Sequence, residues 1–368
     1  MMRTVLASAA FAAAWLLAPS ARAYCPSYTP AETAGGQNCG VDPAPGQNPA
    51  IAEWQQIFGA VAPGQASWGT NGPSIGTIGS GCGKPNPLVK VPAHFPCHVL
   101  YAITMVESGW RQFCVPDTPA ASVGSPSQTI VSFDCGYGIG QVTSGMHVGE
   151  TPNFDRARVA SDPEYNLATG TLILASKWNA TNCVGDNNPD LVEDWYTSIW
   201  AYNGLSYSNN PNNPNLTAGR GVYNPANGGS YAYQEKVFGW MEHPPSDGRW
   251  AALAPAYPNR AEIGSGGSPP ALSEPSCASP TDCTKTRTTH ASVCTGVVSD
   301  AGAPPGDGGG GDAGTDAAGP QDGGNGPGGG GGCSCRATGT DATGWGWIAA
   351  AGGAALIVLR RRRRDVRT

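Results

Sequence analysis

Apolar residues recur at helical spacing mainly between about Leu88 and Pro244. A first helix carries Val99, Leu100, Ile103, Val106 and Trp110, behind Pro96, which suits a first helical turn. A second helix is expected over NLATGTLILASKWN, residues 166–179, where Gly170 lowers propensity and implies a neighbouring helix packed closely on it. A third is expected from Asp190, with Glu193 completing a capping box and a stripe of Val192, Trp195, Tyr196, Ile199 and Trp200 running on to Asn203. Trp195, Tyr196 and Trp200 read as core. A fourth covers SYAYQEKVFGWM, 230–241, and a short amphipathic piece, AIAEWQQIF, lies upstream at 50–58. Period-two alternation is scarce, so the expected class is mainly α.

One residue interrupts this pattern. Glu107 shares a helical face with Leu100 and Ile103. On a buried stripe a carboxyl loses hydration, its charged form is disfavoured and its pKa rises. It can then stay protonated near neutral pH and act as a general acid. The competing reading is a helix-end glutamate that is solvated or paired with Arg111. Downstream, GYGIGQVTSGM at 136–146 offers glycines that let backbone approach a ligand, with Gln141 among them. WAYNG at 200–204 places Tyr202 and Asn203 at a helix end. With charged residues at only 13%, a core rich in Trp, Tyr and Asn suits a neutral, polar ligand such as a carbohydrate. His147 reads as a surface residue.

Composition changes the picture outside that core. Arg3, the apolar run Val5 to Leu17 and Ala21-Arg22-Ala23 read as a secretory signal peptide over 1–23. Twelve cysteines on an exported chain favour disulfides over metal sites, and no metal or other cofactor is expected. Cys114 and Cys135 bracket a loop that their pairing would close, and Cys97 and Cys183 read as structural partners, although connectivity is not deducible from spacing. Residues 24–87 read as an irregular Cys/Pro/Gly-rich arm on a main domain at 88–250. A Pro/Ser-rich linker is expected over 251–300, with a small cluster of Cys277, Cys283 and Cys294, and a disordered Gly-rich tether over 301–332. No basic stripe precedes Arg360, so nucleic-acid binding is not expected.

The end of the chain joins Cys333-Ser334-Cys335, an apolar run from Trp345 to Leu359 and five arginines at 360–364. This segment, 333–368, resembles the MYXO-CTERM sorting tags of myxobacteria. The resemblance implies a sorting protease as partner, a membrane held through residues 345–359 before processing, and display at the cell envelope or surface. A plain membrane anchor is the alternative, because hydropathy does not separate the two.

VESGW, GYGIGQVTSGM, NLATGTLILASKWN, WAYNG and YQEKVFGW follow the motif order of the lysozyme-like catalytic domain of soluble lytic transglycosylases, over about residues 92 to 241. The resemblance implies a disulfide-stapled helical domain that cleaves the β-1,4 bond between N-acetylmuramic acid and N-acetylglucosamine in peptidoglycan glycan strands. Glu107 maps to the single catalytic residue and Ser108 to the serine that orients the N-acetyl group. Gln141 maps to a saccharide contact, Tyr202 to the phenol near the glutamate, and Asn203 to the amide near the sugar. The chain departs from the family's pattern at Gly140-Gln141-Val142, at AYNGL and in the insertion between Trp110 and Gly136, which leaves subsite details open. Two alternatives stand beside it. One is a goose-type lysozyme-like hydrolase using Asp117 or Asp134; the other is a catalytically idle wall-binding protein.

Overall fold

The computed structural model describes residues 39–83, 87–114, 127–132, 134–216 and 220–294, all within one unit, Met1–Ala303. The expected signal peptide, Gly-rich tether and C-terminal tag lie outside the described residues. Among the described residues, no helix is long and apolar enough to cross a membrane.

Among the described residues, eight α-helices supply most of the regular structure: α1 (Ile51–Val61), α2 (Gln65–Trp68), α3 (Cys97–Ser108), α4 (Arg156–Ser161), α5 (Pro163–Ala180), α6 (Tyr196–Tyr202), α7 (Tyr233–Glu242) and α8 (Arg260–Ile263). Three antiparallel two-stranded sheets accompany them: β1 (Pro45–Gly46) with β4 (Ser127–Gln128), β2 (Thr77–Ser80) with β3 (Val89–Pro92), and β5 (Cys277–Ser279) with β6 (Asp282–Thr286). Long loops join these pieces. The expected helical character with disulfides is therefore found, with more irregular chain than helical periodicity implies.

Helix α3 is the central element. Val99, Leu100, Tyr101, Ala102, Ile103 and Thr104 are all buried, so nearly the whole circumference of this helix is covered. It packs chiefly against α7, while α5 packs against α6 and α1. Pro96 stands just before α3, in extended conformation, rather than within its first turn. Helix α5 begins three residues earlier than its apolar pattern suggests. The Asp162 carboxylate accepts from the N–H groups of Glu164 and Tyr165 at 3.0 and 3.1 Å, and Pro163 occupies the first turn.

The capping box expected at Asp190 and Glu193 does not form. Asp190 pairs with His94 at 2.9 Å. The Glu193 carboxylate is fully buried and accepts from the N–H groups of Ala256 and His290, at 3.1 and 2.9 Å, with the His290 Nδ1 also at 2.9 Å. Partners distant in sequence outcompete the local cap, and a 3₁₀ turn at Glu193–Trp195 leads into α6.

The flanking segments are also more integrated than expected. Trp54, Phe58 and Val61 of α1 are core residues, and the Phe58 ring lies 4.8 Å from Tyr101 and 4.6 Å from Trp110. Residues 39–83 thus belong to the core rather than forming an irregular arm laid upon it. Beyond residue 250 the expected linker is folded as far as Cys294. Tyr257, Ile263, Leu272 and Cys277 are buried in the main core, and Tyr257 and Cys277 exchange backbone hydrogen bonds of 2.9 and 3.0 Å. A few well-placed apolar residues suffice here, because the backbone polar groups find partners in the body of the protein.

The disulfides supply the connectivity that spacing left open. Cys135 is bonded to Cys39 rather than Cys114, and Cys97 to Cys294 rather than Cys183; Cys277 and Cys283 close the small β5–β6 hairpin. The Cys39–Cys135 bond spans 96 positions of chain. Replacing both cysteines by serine is expected to lower the unfolding free energy by about 4 kcal/mol through the freed entropy of the unfolded chain. Urea unfolding checks this, and a loss below about 1 kcal/mol would show that the bond contributes little to stability.

Candidate active site

The last turn of α3 carries Glu107 and Ser108, and Gly109 stops the helix in the left-handed conformation (φ 65°). Trp110 continues at φ 62° and is buried, with its indole N–H donating to the Tyr101 carbonyl at 3.0 Å. The chain thus turns sharply after Ser108 and is held in that turn by an aromatic cluster.

Opposite this helix end lies the glycine loop 136–142, and its anchoring is dense. Ser108 Oγ donates to the Ile139 carbonyl at 2.9 Å. Gln112, fully buried, accepts from the Ile139 N–H at 3.0 Å and donates to the carbonyls of Val159 and Ala160. Asn166, also fully buried on α5, accepts from the Gly140 N–H at 3.0 Å and donates to the Tyr137 carbonyl at 2.8 Å. The Tyr202 hydroxyl, from the end of α6, donates to the Gly140 carbonyl at 2.6 Å. Two glycines make this approach possible. A Cβ at Gly138 (φ 64°) would fall 2.1 Å from Gln112 Oε1, and one at Gly170 would fall 3.1 Å from the Tyr202 hydroxyl oxygen. The close packing implied at Gly170 is thus against α6.

The N-terminal segment clamps the same loop from outside. Cys39 is bonded to Cys135, Gly40 donates to the Met146 carbonyl at 2.6 Å, and the Tyr137 hydroxyl donates to the Val41 carbonyl. Tyr137, Val142, Met146, Val159 and Tyr165 form a second small core beneath it.

Glu107 is half-buried at this junction, and its Oε1 accepts from the Tyr233 hydroxyl on α7. Burial pushes its carboxyl up to about 7; the Tyr233 hydrogen bond opposes this, and the negative charge of Asp134 adds to it. The expected competitor, Arg111, is turned away, its Nε donating to the Ser108 carbonyl at 2.9 Å. Among the described residues Glu107 has no ion-pair partner. The hydroxyls of Tyr202 and Tyr233 are pushed above their ordinary pKa by burial first and by the Glu107 charge second. Both phenols are therefore neutral donors across the physiological range.

The sequence-predicted residues are placed unequally. Glu107, Ser108 and Tyr202 meet around the glycine loop. Ser108 is buried, and its hydroxyl fastens that loop to the helix end. Gln141, at φ 45°, donates from its amide to the Gly138 carbonyl at 2.9 Å and so folds back on its own loop. Asn203 is exposed and accepts from the Asn209 amide at 3.0 Å, while Asn209 also accepts from the Tyr233 N–H at 3.3 Å. Asp134 lies close enough for its charge to act on Glu107, and one of its oxygens accepts from Ser132 Oγ at 2.5 Å. Asp117 lies outside the described residues. Sequence reasoning missed Tyr233, although YQEKVFGW contains it, and it missed the supports Gln112 and Asn166. A surface hollow of about 420 Å³ lined by Pro63, Val91, His94, Phe95 and Val293 contains none of these residues.

Comparison with protein-family models, with curated proteins and with solved structures finds no match for this chain.

The raised pKa sets a stability prediction. Glu107 is protonated more readily folded than unfolded, where its carboxyl titrates near 4.5. Its charge-burial penalty is thus absent well below 4.5, grows between 4.5 and about 7, and is complete above that. Glu107→Gln should raise the unfolding free energy at about pH 8 by on the order of 1–2 kcal/mol and leave it nearly unchanged at about pH 4. Urea unfolding at the two pH values checks this; equal effects at both would mean that burial does not bias this carboxyl.

Proposed function

We propose that the chain is a peptidoglycan lytic transglycosylase built on a lysozyme-like helical domain. The observation that carries this reading is one carboxyl, half-buried at a helix end, raised to about 7, and partnered by a phenol rather than a cation. Such a group can give a proton and then take one. Glu107 protonates the glycosidic oxygen between N-acetylmuramic acid and N-acetylglucosamine as C1 gains oxocarbenium or oxazolinium character. The resulting carboxylate, stabilised by the Tyr233 hydroxyl, then removes the proton from the C6 hydroxyl of the same sugar. That oxygen closes on C1, and a 1,6-anhydromuramoyl end results. The scheme uses the same residue as acid and base in turn and calls for no second carboxylate. Gly140 is held by Tyr202 and Asn166, in the loop that Ser108, the residue next to the acid, fastens to the helix end.

Disulfides fit an exported protein. With the tail's resemblance to a sorting tag, they support a location at the cell envelope or surface, where glycan strands are within reach.

One observation favours a second reading. Asp134 acts electrostatically on Glu107, as a carboxylate that activates water on the far side of a sugar would have to lie nearby. That arrangement would make the protein a lysozyme-like hydrolase.

Digestion of sacculi by purified protein, with products read by mass spectrometry, distinguishes the readings. Products lighter by one water and carrying 1,6-anhydro ends are expected, with loss of at least about a thousandfold in Glu107→Gln and little change in Asp134→Asn. Reducing ends that vanish in Asp134→Asn would establish hydrolysis. Binding without release would leave a wall-binding protein. In the active case kcat/KM should be level below about pH 7 and fall tenfold per unit above it. Tyr233→Phe removes a hydrogen bond that favours the charged form, so the alkaline limb should move to higher pH; a shift to lower pH would contradict the role given to Tyr233.

A further inference from the structure

A second cluster of carboxylates lies at the other end of the segment leading to α6. We infer that Asp186, Asp194 and Glu274 form a binding site for a hard divalent cation of the calcium type. One oxygen from each of the three lies within 4.8 Å of the others.

The cluster alone would be an ordinary acidic patch. What distinguishes it is the state of Asp194, which is 1% exposed. Its Oδ2 accepts from the Asn188 N–H at 2.6 Å, whereas its Oδ1 is buried with no N–H or hydroxyl donor, and the carboxyl meets that of Asp186 within hydrogen-bonding reach. A buried carboxylate oxygen left without such a donor is costly, and proteins meet that cost with a donor or a metal. Oδ1 faces the cluster. A Cβ built on Gly185 would lie 2.0 Å from Glu274 Oε2 and 2.9 Å from Asp194 Oδ1, so both oxygens converge on the space above that glycine. Gly185 also sits at φ 56°, in the left-handed region. Any side chain there would fill the position that the two oxygens share.

The donor set indicates the class of ion. It is all oxygen, with no imidazole or thiolate, which suits calcium or magnesium rather than zinc or copper. Asp186 and Glu274 are exposed, so an ion can enter from solvent and keep several waters. The ligands come from two loops, and calcium tolerates such irregular coordination better than magnesium does.

The ion would join distant parts of the chain. Asp186 and Asp194 belong to the loop before α6, and Glu274 to the segment that returns after α8. These already touch through the Gly185 N–H to the Leu272 carbonyl at 3.1 Å and the Leu272 N–H to the Cys183 carbonyl at 2.9 Å. Asp194 stands directly before Trp195 and α6, whose far end supplies Tyr202. A cation here would fix the base of the helix that holds the glycine loop. This inference is independent of the catalytic reading.

The test uses the full chain, stripped with EDTA and dialysed. Thermal unfolding with added CaCl₂ or MgCl₂ should show a rise of several degrees with calcium at millimolar concentration and a smaller one with magnesium. Calorimetric titration with CaCl₂ should give one site. Glu274→Gln, an exposed substitution that should not disturb folding, is expected to weaken calcium binding by about tenfold or more, as is Asp194→Asn. No thermal shift in the wild type, or the same calcium affinity in Glu274→Gln, would overturn the assignment. So would an EDTA-stripped Asp194→Asn variant that is more stable than the stripped wild type yet binds calcium as tightly.

Discussion

The candidate site depends on keeping one carboxyl group partly out of water at the end of a helix without giving it a positive partner. A guanidinium beside Glu107 would lower its pKa and fix it as an anion. Arg111, three positions beyond Ser108, is the obvious candidate for that role, and the turn at Gly109 and Trp110 sends it back to the Ser108 carbonyl. Tyr233 supplies a hydrogen bond without a charge. A neutral donor eases the carboxylate form less than a cation would, so the group stays close to balance between its two protonation states. That balance is the property a proton donor and acceptor needs.

The rest of the architecture reads as support for this constraint. The glycine loop covers the helix end with backbone, and backbone can lie that close only if its own polar groups are satisfied. Gln112, Ser108 and Tyr202 each take one of those groups, and Asn166 takes two. The N-terminal segment then closes the far side of the loop through Cys39, Gly40 and Val41. Asn48 extends the clamp by accepting from the N–H groups of Gln112 and Phe113 at 2.8 and 2.9 Å. Buried networks of this kind are rigid when fully paired, and a rigid loop fastened to the acid's helix end is of more use to bond cleavage than a mobile one.

What the sequence made legible follows from which interactions are local. The stripe Val99, Leu100, Ile103 marked α3 because burial at helical spacing is written in neighbouring residues. Glu107 was legible for the same reason, as a polar residue on an apolar face. The Asp190–Glu193 pattern misled, since Glu193 finds Ala256 and His290 in space, and no local pattern records that competition. The folded character of residues 251–294 was hidden by Pro and Ser content, because a segment held by long-range backbone bonds needs few apolar residues of its own. Tyr233 sat within a quoted motif, yet its contact with Glu107 crosses more than a hundred positions and depends on how α7 lies on α3. The start of α5 was legible and overlooked, as Asp162-Pro163 is a cap followed by a first-turn proline.

The place of Asp134 bears on which reaction the site favours. Its negative charge helps hold Glu107 in the protonated form, which serves the first step of either reaction. The second step separates them. Hydrolysis would require Asp134 to take a proton from a water, and one of its oxygens is already engaged by the Ser132 hydroxyl at 2.5 Å. Ser132 thus occupies one of the two oxygens with which Asp134 would meet that water. Glu107, once it has given up its proton, is a ready proton acceptor, because burial penalises its charge. In the proposed reaction the proton removed in the second step would therefore go to Glu107, and the hydroxyl to lose it would be that of the sugar bound against it.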